Sequence, residues 1–192
     1  MIASQAITLG ILAGGRATRL GGRDKAWLER DGIPQVLRIA HRFAPEVETI
    51  VISANRDHAR YAGHALKAVA DRVPDAGPLG GLEALAHACH TPWLLTIPVD
   101  LVGVNECLLP TLIAAAGDNG AFAVDDDGSQ PLVALWRTDK LRDAASAVLL
   151  VGDHAVHALQ DRLEMARVHF TGVRFGNLNT PADLTAAGIA VP

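Results

Sequence analysis

Apolar residues in this chain come either in short unbroken runs or in stretches where they recur every three or four positions. The run Ala6-Ile7-Thr8-Leu9-Gly10-Ile11-Leu12 reads as a buried strand, and Val47 with Ile50-Val51-Ile52, residues 66–70 and Trp93-Leu94-Leu95-Thr96-Ile97 read as further strands. Between them Val36, Ile39, Ala40 and Phe43, opened by Pro34, keep helical spacing. Leu79, Leu82, Leu85, Ala86 and Cys89 do the same after the break at Gly77-Pro78, and Leu108, Leu109, Leu112 and Ile113 mark a further helix. Apolar strands alternating with amphipathic helices predict an α/β fold of three α/β/α layers, its mainly parallel twisted sheet covered on both faces.

Beyond residue 120 the alternation loosens. Residues 122–124 and 132–136 predict two strands joined by Asp125-Asp126-Asp127-Gly128-Ser129. Three adjacent aspartates also suit a metal, but Asp-Gly between apolar runs favours a hairpin tip. Thr180-Pro181-Ala182-Asp183 predicts a helix start, with Thr180 as cap, Pro181 in the first turn and Asp183 at the positive end. With no repeat, low-complexity tract or linker, one domain over residues 1–192 is expected.

Composition removes several function classes. Hydrophobic residues at 49% and charged residues at 20% are ordinary for a globular chain, so disorder is not expected. A formal charge of −4 gives no dominant basic face for nucleic acid. No apolar stretch approaches the ~20 residues of a membrane span, and the N-terminus lacks the basic region of a signal peptide, so a cytoplasmic protein is expected. Cys89 and Cys107, without C-x-x-C spacing, read as buried thiols. Among eight histidines, the pairs His87/His90 and His154/His157 have the spacing of one helical face but lack a flanking Glu or Cys set, so solvated or packed side chains are expected rather than zinc ligands. A G-x-S-x-G elbow is missing, which leaves nucleophilic hydrolysis without support.

Chemistry concentrates behind the strands. Gly14-Gly15-Arg16, Arg19-Leu20-Gly21-Gly22 and Asp24-Lys25 follow the first strand directly. Glycines there allow backbone N–H groups to approach a ligand, and arginine and lysine bring positive charge to phosphate oxygens. The spacing matches neither G-x-x-x-x-G-K-[ST] nor G-x-G-x-x-G, so this is a polyphosphate loop of another kind. Asn55, Asp71 and Asp100 follow the later strands, and parallel strand ends share one edge, so all of them converge on one cleft. Asp100, directly after an apolar strand, is the expected Mg²⁺ ligand, bridging the cation to substrate phosphates; the competing use is an ion pair or a helix cap. Asp71 either holds a base or ribose or pairs with Arg72. Asn55 either bonds a base or pterin edge or forms an Asx-turn. Gly80-Gly81 serves either close ligand approach or tight packing of a helix on the sheet.

Leu12-Ala13-Gly14-Gly15, Arg19-Leu20-Gly21-Gly22 and Asp24-Lys25 resemble the opening of the molybdenum cofactor guanylyltransferases. The resemblance runs on in order through Ser53-Ala54-Asn55-Arg56, Asp71, Gly77-Pro78-Leu79-Gly80-Gly81, Pro98-Val99-Asp100, Gln130-Pro131-Leu132-Val133-Ala134-Leu135 and Asn177-Leu178-Asn179-Thr180-Pro181. It implies a nucleotide-diphospho-sugar transferase (glycosyltransferase-A-like) fold and transfer of GMP from GTP to molybdopterin, with release of pyrophosphate. Leu12, Ala13 and Gly14 would then contact the guanine nucleotide through their backbone, with Ser53, Asn55 and Asp71 at the same ligand. Lys25 would bind phosphates, Asp100 would hold Mg²⁺, and Gly15, Arg19 and Gly22 would organise the transfer centre. Gly81, Asn177 and Asn179 would border molybdopterin. A monomer passing its product to molybdoenzymes or their chaperones is the corresponding expectation. Two positions depart from the family: Ser53 stands where members often carry Asn, and Leu101-Val102 follow the metal aspartate in place of Thr-Pro or Met-Pro. A molybdopterin cytidylyltransferase, a sugar-phosphate nucleotidyltransferase and a non-catalytic cofactor-binding protein remain alternatives. Ala13-Gly14-Gly15 leans toward guanine over cytosine, because the missing side chain leaves room for a purine.

Overall fold

The computed structural model describes residues 2–15, 24–150, 152 and 155–189. In chain order the main elements are β1 (Ile7–Leu12), the short hairpin β2 (Glu29–Arg30) and β3 (Ile33–Pro34), α1 (Gln35–Phe43), β4 (Thr49–Ser53), α2 (His58–Gly63), β5 (Lys67–Val69) and α3 (Pro78–Ala88). There follow β6 (Trp93–Pro98), α4 (Leu108–Ala115), β7 (Gly120–Asp125), β8 (Gly128–Arg137), α5 (Thr138–Leu150), α6 (Val156–Arg162), β9 (Ala166–His169) and α7 (Pro181–Ala186). Among the described residues no helix is long and apolar enough to cross a membrane.

One seven-stranded sheet runs in the order β5-β4-β1-β6-β8-β7-β9. The first four strands in that order are mutually parallel, β8 is antiparallel to both its neighbours, and β9 is parallel to β7. Strand alternation divides the core in two. Ile7, Leu9 and Ile11 of β1 pack with Leu95 and Ile97 of β6 under α1 and α4. On the other face Leu94, Phe122, Ala134 and Trp136 meet α3, α5 and α6. Gly10 faces this second layer, where an added Cβ would lie 2.8 Å from Leu85 Cδ1, so its bare backbone lets α3 settle against β1. Within that layer Trp136 Nε1–H donates to Thr96 Oγ1 at 2.8 Å, and Thr96 donates to the Leu132 carbonyl at 2.9 Å.

Two sequence expectations change here, and a third lies beyond the described residues. Cys89 is buried as expected, but Cys107 is exposed, because it caps the start of α4 instead of packing beneath it. His90 lies beyond the end of α3 and shares no helical face with His87; the latter approaches Glu83 at 3.1 Å. His154 lies outside the described residues.

The aspartate run forms a hairpin tip whose first carboxylate is structural. Asp125 accepts hydrogen bonds from Asp127 N–H at 3.0 Å, Gln130 Nε2 at 3.2 Å and Phe175 N–H at 2.9 Å, so it ties the returning chain to the hairpin. Burial alone would raise its pKa, but the bonds from Phe175, Gln130, Asp127 and Gly128 outweigh burial and hold it below the ordinary 3.8. A depressed folded pKa gives stability that is present above the unfolded value and is lost as pH falls through the folded one. Asp125→Asn is therefore expected to cost about 2 kcal/mol at neutral pH. The gap from wild type should close in more acidic buffer, as urea unfolding at about pH 7, 5 and 3 would measure. A gap that is constant with pH would assign the residue to shape alone.

Candidate active site

Register puts the strand ends in one row: Val69 pairs with Ser53, Ser53 with Leu12, and Leu12 with Pro98. The order β5-β4-β1-β6 means that the chain leaves β1 in one direction to β4 and returns on its other side as β6, a topological switch at β1. Pairing continues past the strands, with Ala13 N–H on the Ser53 carbonyl at 2.8 Å, Ala54 N–H on Val69 at 2.9 Å and Val99 N–H on Leu12 at 3.0 Å. Residues 14, 55, 71 and 100 consequently emerge side by side into a cavity of about 750 Å³.

That cavity is lined by most of the predicted residues: Leu12, Ala13, Gly14, Gly15, Lys25, Ser53, Asn55, Asp71, Gly81, Asp100 and Asn179. Asn177 is not in its lining. It pairs antiparallel with Leu101 in an isolated bridge, so its backbone stitches the chain near Asp100 while Asn179 reaches the cavity. Arg19 and Gly22, with the rest of residues 16–23, lie outside the described residues. Asp24, Asp75 and Leu132 also line the cavity without having been singled out. For Asp24 the signal was its place before the turn: its carboxylate accepts from Ala26 N–H at 2.9 Å and caps the turn that carries Lys25.

Lys25 is held by two partners distant in sequence. Its Nζ donates to Asp100 Oδ2 at 2.8 Å and to Asn179 Oδ1 at 2.7 Å. Trp27, two residues on in the same turn, packs against Tyr61 with ring centroids 4.9 Å apart, and the Arg60 guanidinium lies 3.9 Å over the indole. The turn is thereby anchored to α2. On the opposite side Leu178 N–H donates to the Asp100 carbonyl at 2.9 Å, and Gln35 Nε2 donates to the Leu101 carbonyl at 2.7 Å. The Leu101-Val102 departure from the family pattern thus has a use. Leu101 is buried in the main core, and Val102 packs against the small cluster of Leu28, Leu178, Leu184 and Ile189.

A second polar group stands across the cavity. Asn55 Nδ2 donates to Asp71 Oδ2 at 2.9 Å, while Asp71 N–H donates to Asn55 Oδ1 at 2.8 Å. Ser53 Oγ donates to Asp71 Oδ1 at 3.4 Å. Asn55 therefore orients Asp71. Arg72 turns away to buried Glu83 at 2.9 Å, so the alternative pairing of Asp71 with Arg72 is not made. Gly81 serves packing and cavity shape together: a Cβ there would lie 2.7 Å from Ser53 Oγ and 2.8 Å from Leu12 Cδ2. Gly77 takes φ +59° at the start of α3, a conformation that favours glycine.

The donor chemistry fits a cation that comes with its ligand. Asp24, Asp71, Asp75 and Asp100 line the cavity with Lys25 as the one lysine in the lining. No group of three or more His, Cys, Asp or Glu able to hold a metal is found among the described residues. One carboxylate completed by waters and substrate phosphates is the usual protein share of an Mg²⁺ site.

Comparison with known proteins agrees with this geometry. The family model described as MobA-like NTP transferase domain matches residues 9–168. A molybdenum cofactor guanylyltransferase of Serratia proteamaculans is 37% identical over 178 residues, covering 90% of this chain and 89% of that protein. Among solved structures, a molybdopterin-guanine dinucleotide biosynthesis protein A from Archaeoglobus fulgidus superposes with a TM-score of 0.72 at 20% identity, covering 94% of this chain and 96% of that one. A 2-C-methyl-D-erythritol 4-phosphate cytidylyltransferase from Thermus thermophilus does so with a TM-score of 0.71 at 16% identity, covering 93% and 96%. Those two share the fold, that of the nucleotide-diphospho-sugar transferases. With its strand-end cleft, glycine loop and near full-length relatives, the chain belongs to the MobA-like NTP transferase domain family.

Proposed function

We propose that this protein transfers the GMP unit of GTP to the terminal phosphate of molybdopterin, forming molybdopterin guanine dinucleotide and pyrophosphate. The junction of Lys25 with Asp100 and Asn179, at 2.8 and 2.7 Å beside the glycine loop, carries the reading. The name of the Serratia relative supplies the guanylyl group and its acceptor. A phosphate oxygen of molybdopterin attacks the α-phosphorus of GTP in line with its bond to the β-bridging oxygen. As the new P–O bond forms, the old one breaks and its electron pair leaves on pyrophosphate. A phosphate monoester is mostly ionised near neutral pH, so the site needs positioning and charge complementarity more than a base.

Each residue then has a task. The backbone of Leu12, Ala13 and Gly14 lies against the nucleotide. Lys25 holds phosphate oxygens, and the family resemblance assigns Gly15, Arg19 and Gly22 to the transfer centre. Asp100 would hold Mg²⁺, which supplies charge neutralisation on the transferring phosphoryl group. Gly81 and Asn179 border the molybdopterin side. Asp71, steadied by Asn55 and Ser53, retains acceptor capacity on its carboxylate. Guanine offers adjacent N1–H and amino donors to such a carboxylate, whereas cytosine sets an acceptor nitrogen beside its one amino group. The reading also carries a single catalytic domain over residues 1–192, acting as a monomer in the cytoplasm and passing its product to molybdoenzymes or their chaperones.

GTP with Mg²⁺ is expected to bind roughly tenfold or more tighter than CTP, ATP or UTP, as competition calorimetry would measure. CTP binding equally well would move the assignment to cytidylyl transfer.

Asp100→Asn keeps the shape but removes the charge a cation needs, and turnover is expected to fall by ~10²-fold or more. Affinity for metal-free GTP should hold or rise, since the substitution frees Lys25 from its ion pair and removes a carboxylate near the phosphates. Mg²⁺-dependent pyrophosphate release, run beside metal-free GTP titration, tests both statements. Unaltered Mg²⁺ dependence would put the metal elsewhere.

A further inference from the structure

The amide oxygen that meets Lys25 belongs to a residue with its own support. Asn179 N–H donates to Asp183 Oδ2 at 3.0 Å, and Thr180 N–H donates to the same oxygen at 2.7 Å. In return Asp183 N–H donates to Thr180 Oγ1 at 3.2 Å, completing the capping box of α7. The box itself consists of the two Thr180–Asp183 bonds. The bond from Asn179 lies outside it and adds nothing to the cap. What it does is fix the backbone of Asn179 one residue before the helix, where Asn179 N–H also reaches the Asn177 carbonyl at 3.1 Å. Asn177 is in turn paired with Leu101, next to Asp100, so both acceptors of the Lys25 ammonium hang on one stitched segment.

We infer that Asp183 is a positioning residue for nucleotidyl transfer, acting through Asn179 to aim the Lys25 ammonium at the phosphates of the nucleotide. The inference rests on the function proposed above. Among the described residues the ammonium donates to Asp100 and Asn179, and a lysine has a third N–H for a phosphate oxygen. Direction in space is set by the first two. Loss of the Asn179 acceptor leaves Lys25 tethered to Asp100 alone and free to swing about that contact. Asp183 touches neither substrate nor metal in this scheme, and its hydrogen-bonded path to the lysine runs through Asn179.

Two substitutions separate positioning from helix capping. Thr180→Ala breaks the box but leaves Asp183 Oδ2 with both of its N–H donors, whereas Asp183→Ala removes the support of Asn179 as well. Both variants of the full-length protein are expected to lose similar thermal stability. Pyrophosphate release should separate them, with kcat/KM for GTP down by ~5–10-fold in Asp183→Ala and within about twofold of wild type in Thr180→Ala. Asp183→Asn, whose amide oxygen accepts the same two N–H groups, should recover most of the loss. In a Lys25→Ala background Asp183→Ala should cause no further loss of GTP affinity by calorimetry, since the line it acts through is already cut. Equal catalytic loss in Thr180→Ala and Asp183→Ala, or an undiminished Asp183→Ala effect without Lys25, would overturn the inference. Wild-type protein that releases no pyrophosphate from GTP and molybdopterin would instead overturn the function on which it rests.

Discussion

The contact between Lys25 and Asp100 organises this molecule more than its strength would suggest. The two groups are 75 residues apart in sequence and 2.8 Å apart in space. With side-chain exposures of 18% and 23% the pair is part-buried, so the cost of desolvating two charges offsets much of their attraction. Such a pair adds little net stability, and the contact is not what keeps the chain folded. The dependence runs the other way, and much of the architecture is needed to make the contact. The parallel register of β1 and β6 brings Pro98 level with Leu12, which delivers Asp100 beside the glycine loop. The turn anchored by Trp27 on Tyr61 and Arg60 delivers Lys25 from below, and the segment paired with Leu101 delivers Asn179. A weak interaction that needs three separate pieces of structure is better understood as a positioned chemical group than as a source of stability.

Opposite that junction, missing side chains shape the cleft. Gly81 sits where a Cβ would collide with Ser53 Oγ and Leu12 Cδ2, and Gly80 lies where one would come within 3.4 Å of Asp71 Cγ. The start of α3 can therefore lie directly against the ends of β1 and β4, leaving no room to vary those positions independently. Ser53 fits this arrangement, since its short hydroxyl fills the space beside Gly81 while still reaching Asp71 at 3.4 Å. Glu83 continues the logic one turn along α3. By taking Arg72 at 2.9 Å it keeps that cation off Asp71, so the Asp71 carboxylate keeps its acceptor capacity for a ligand.

Much of this was legible in the chain because two simple periodicities carry it. Apolar runs marked β1, β4 and β6, a shorter stretch interrupted by Lys67 marked β5, and their polar followers Asn55, Asp71 and Asp100 fall on one edge. The Thr180–Asp183 cap was equally readable, since it depends on neighbours in sequence. What escaped depends on long-range contacts or faint contrast. α5 buries Thr138, Leu141, Ala145 and Val148, a stripe too short in large apolar side chains to stand out from its surroundings. Spacing alone could not reveal that Asn179 meets Lys25 while Asn177 does not reach the cavity, because tertiary partners make the difference: Asn177 bridges Leu101, and Asn179 meets the lysine. Nor could it reveal that Arg72 prefers Glu83 to its neighbour Asp71, a choice made by the packing of α3.

The charge balance of the cleft connects these features to the order in which ligands enter. Asp24, Asp71, Asp75 and Asp100 line the cavity, and Lys25, its one lysine, is already engaged with Asp100. On the proposed reading, a bare triphosphate meets, among the described residues, these carboxylates and a lysine whose charge is partly neutralised by its partner. A triphosphate that arrives with a divalent cation meets a different field. Asp100 can turn to the cation, and the ammonium it releases is still restrained by Asn179 within reach of the phosphates. Asp100 and Lys25 thus satisfy each other until a ligand supplies both a positive and a negative group. On the proposed reading Asn179 then keeps the freed lysine in the site, a task suited to a residue whose backbone is held from two sides, by Asn177 and by Asp183.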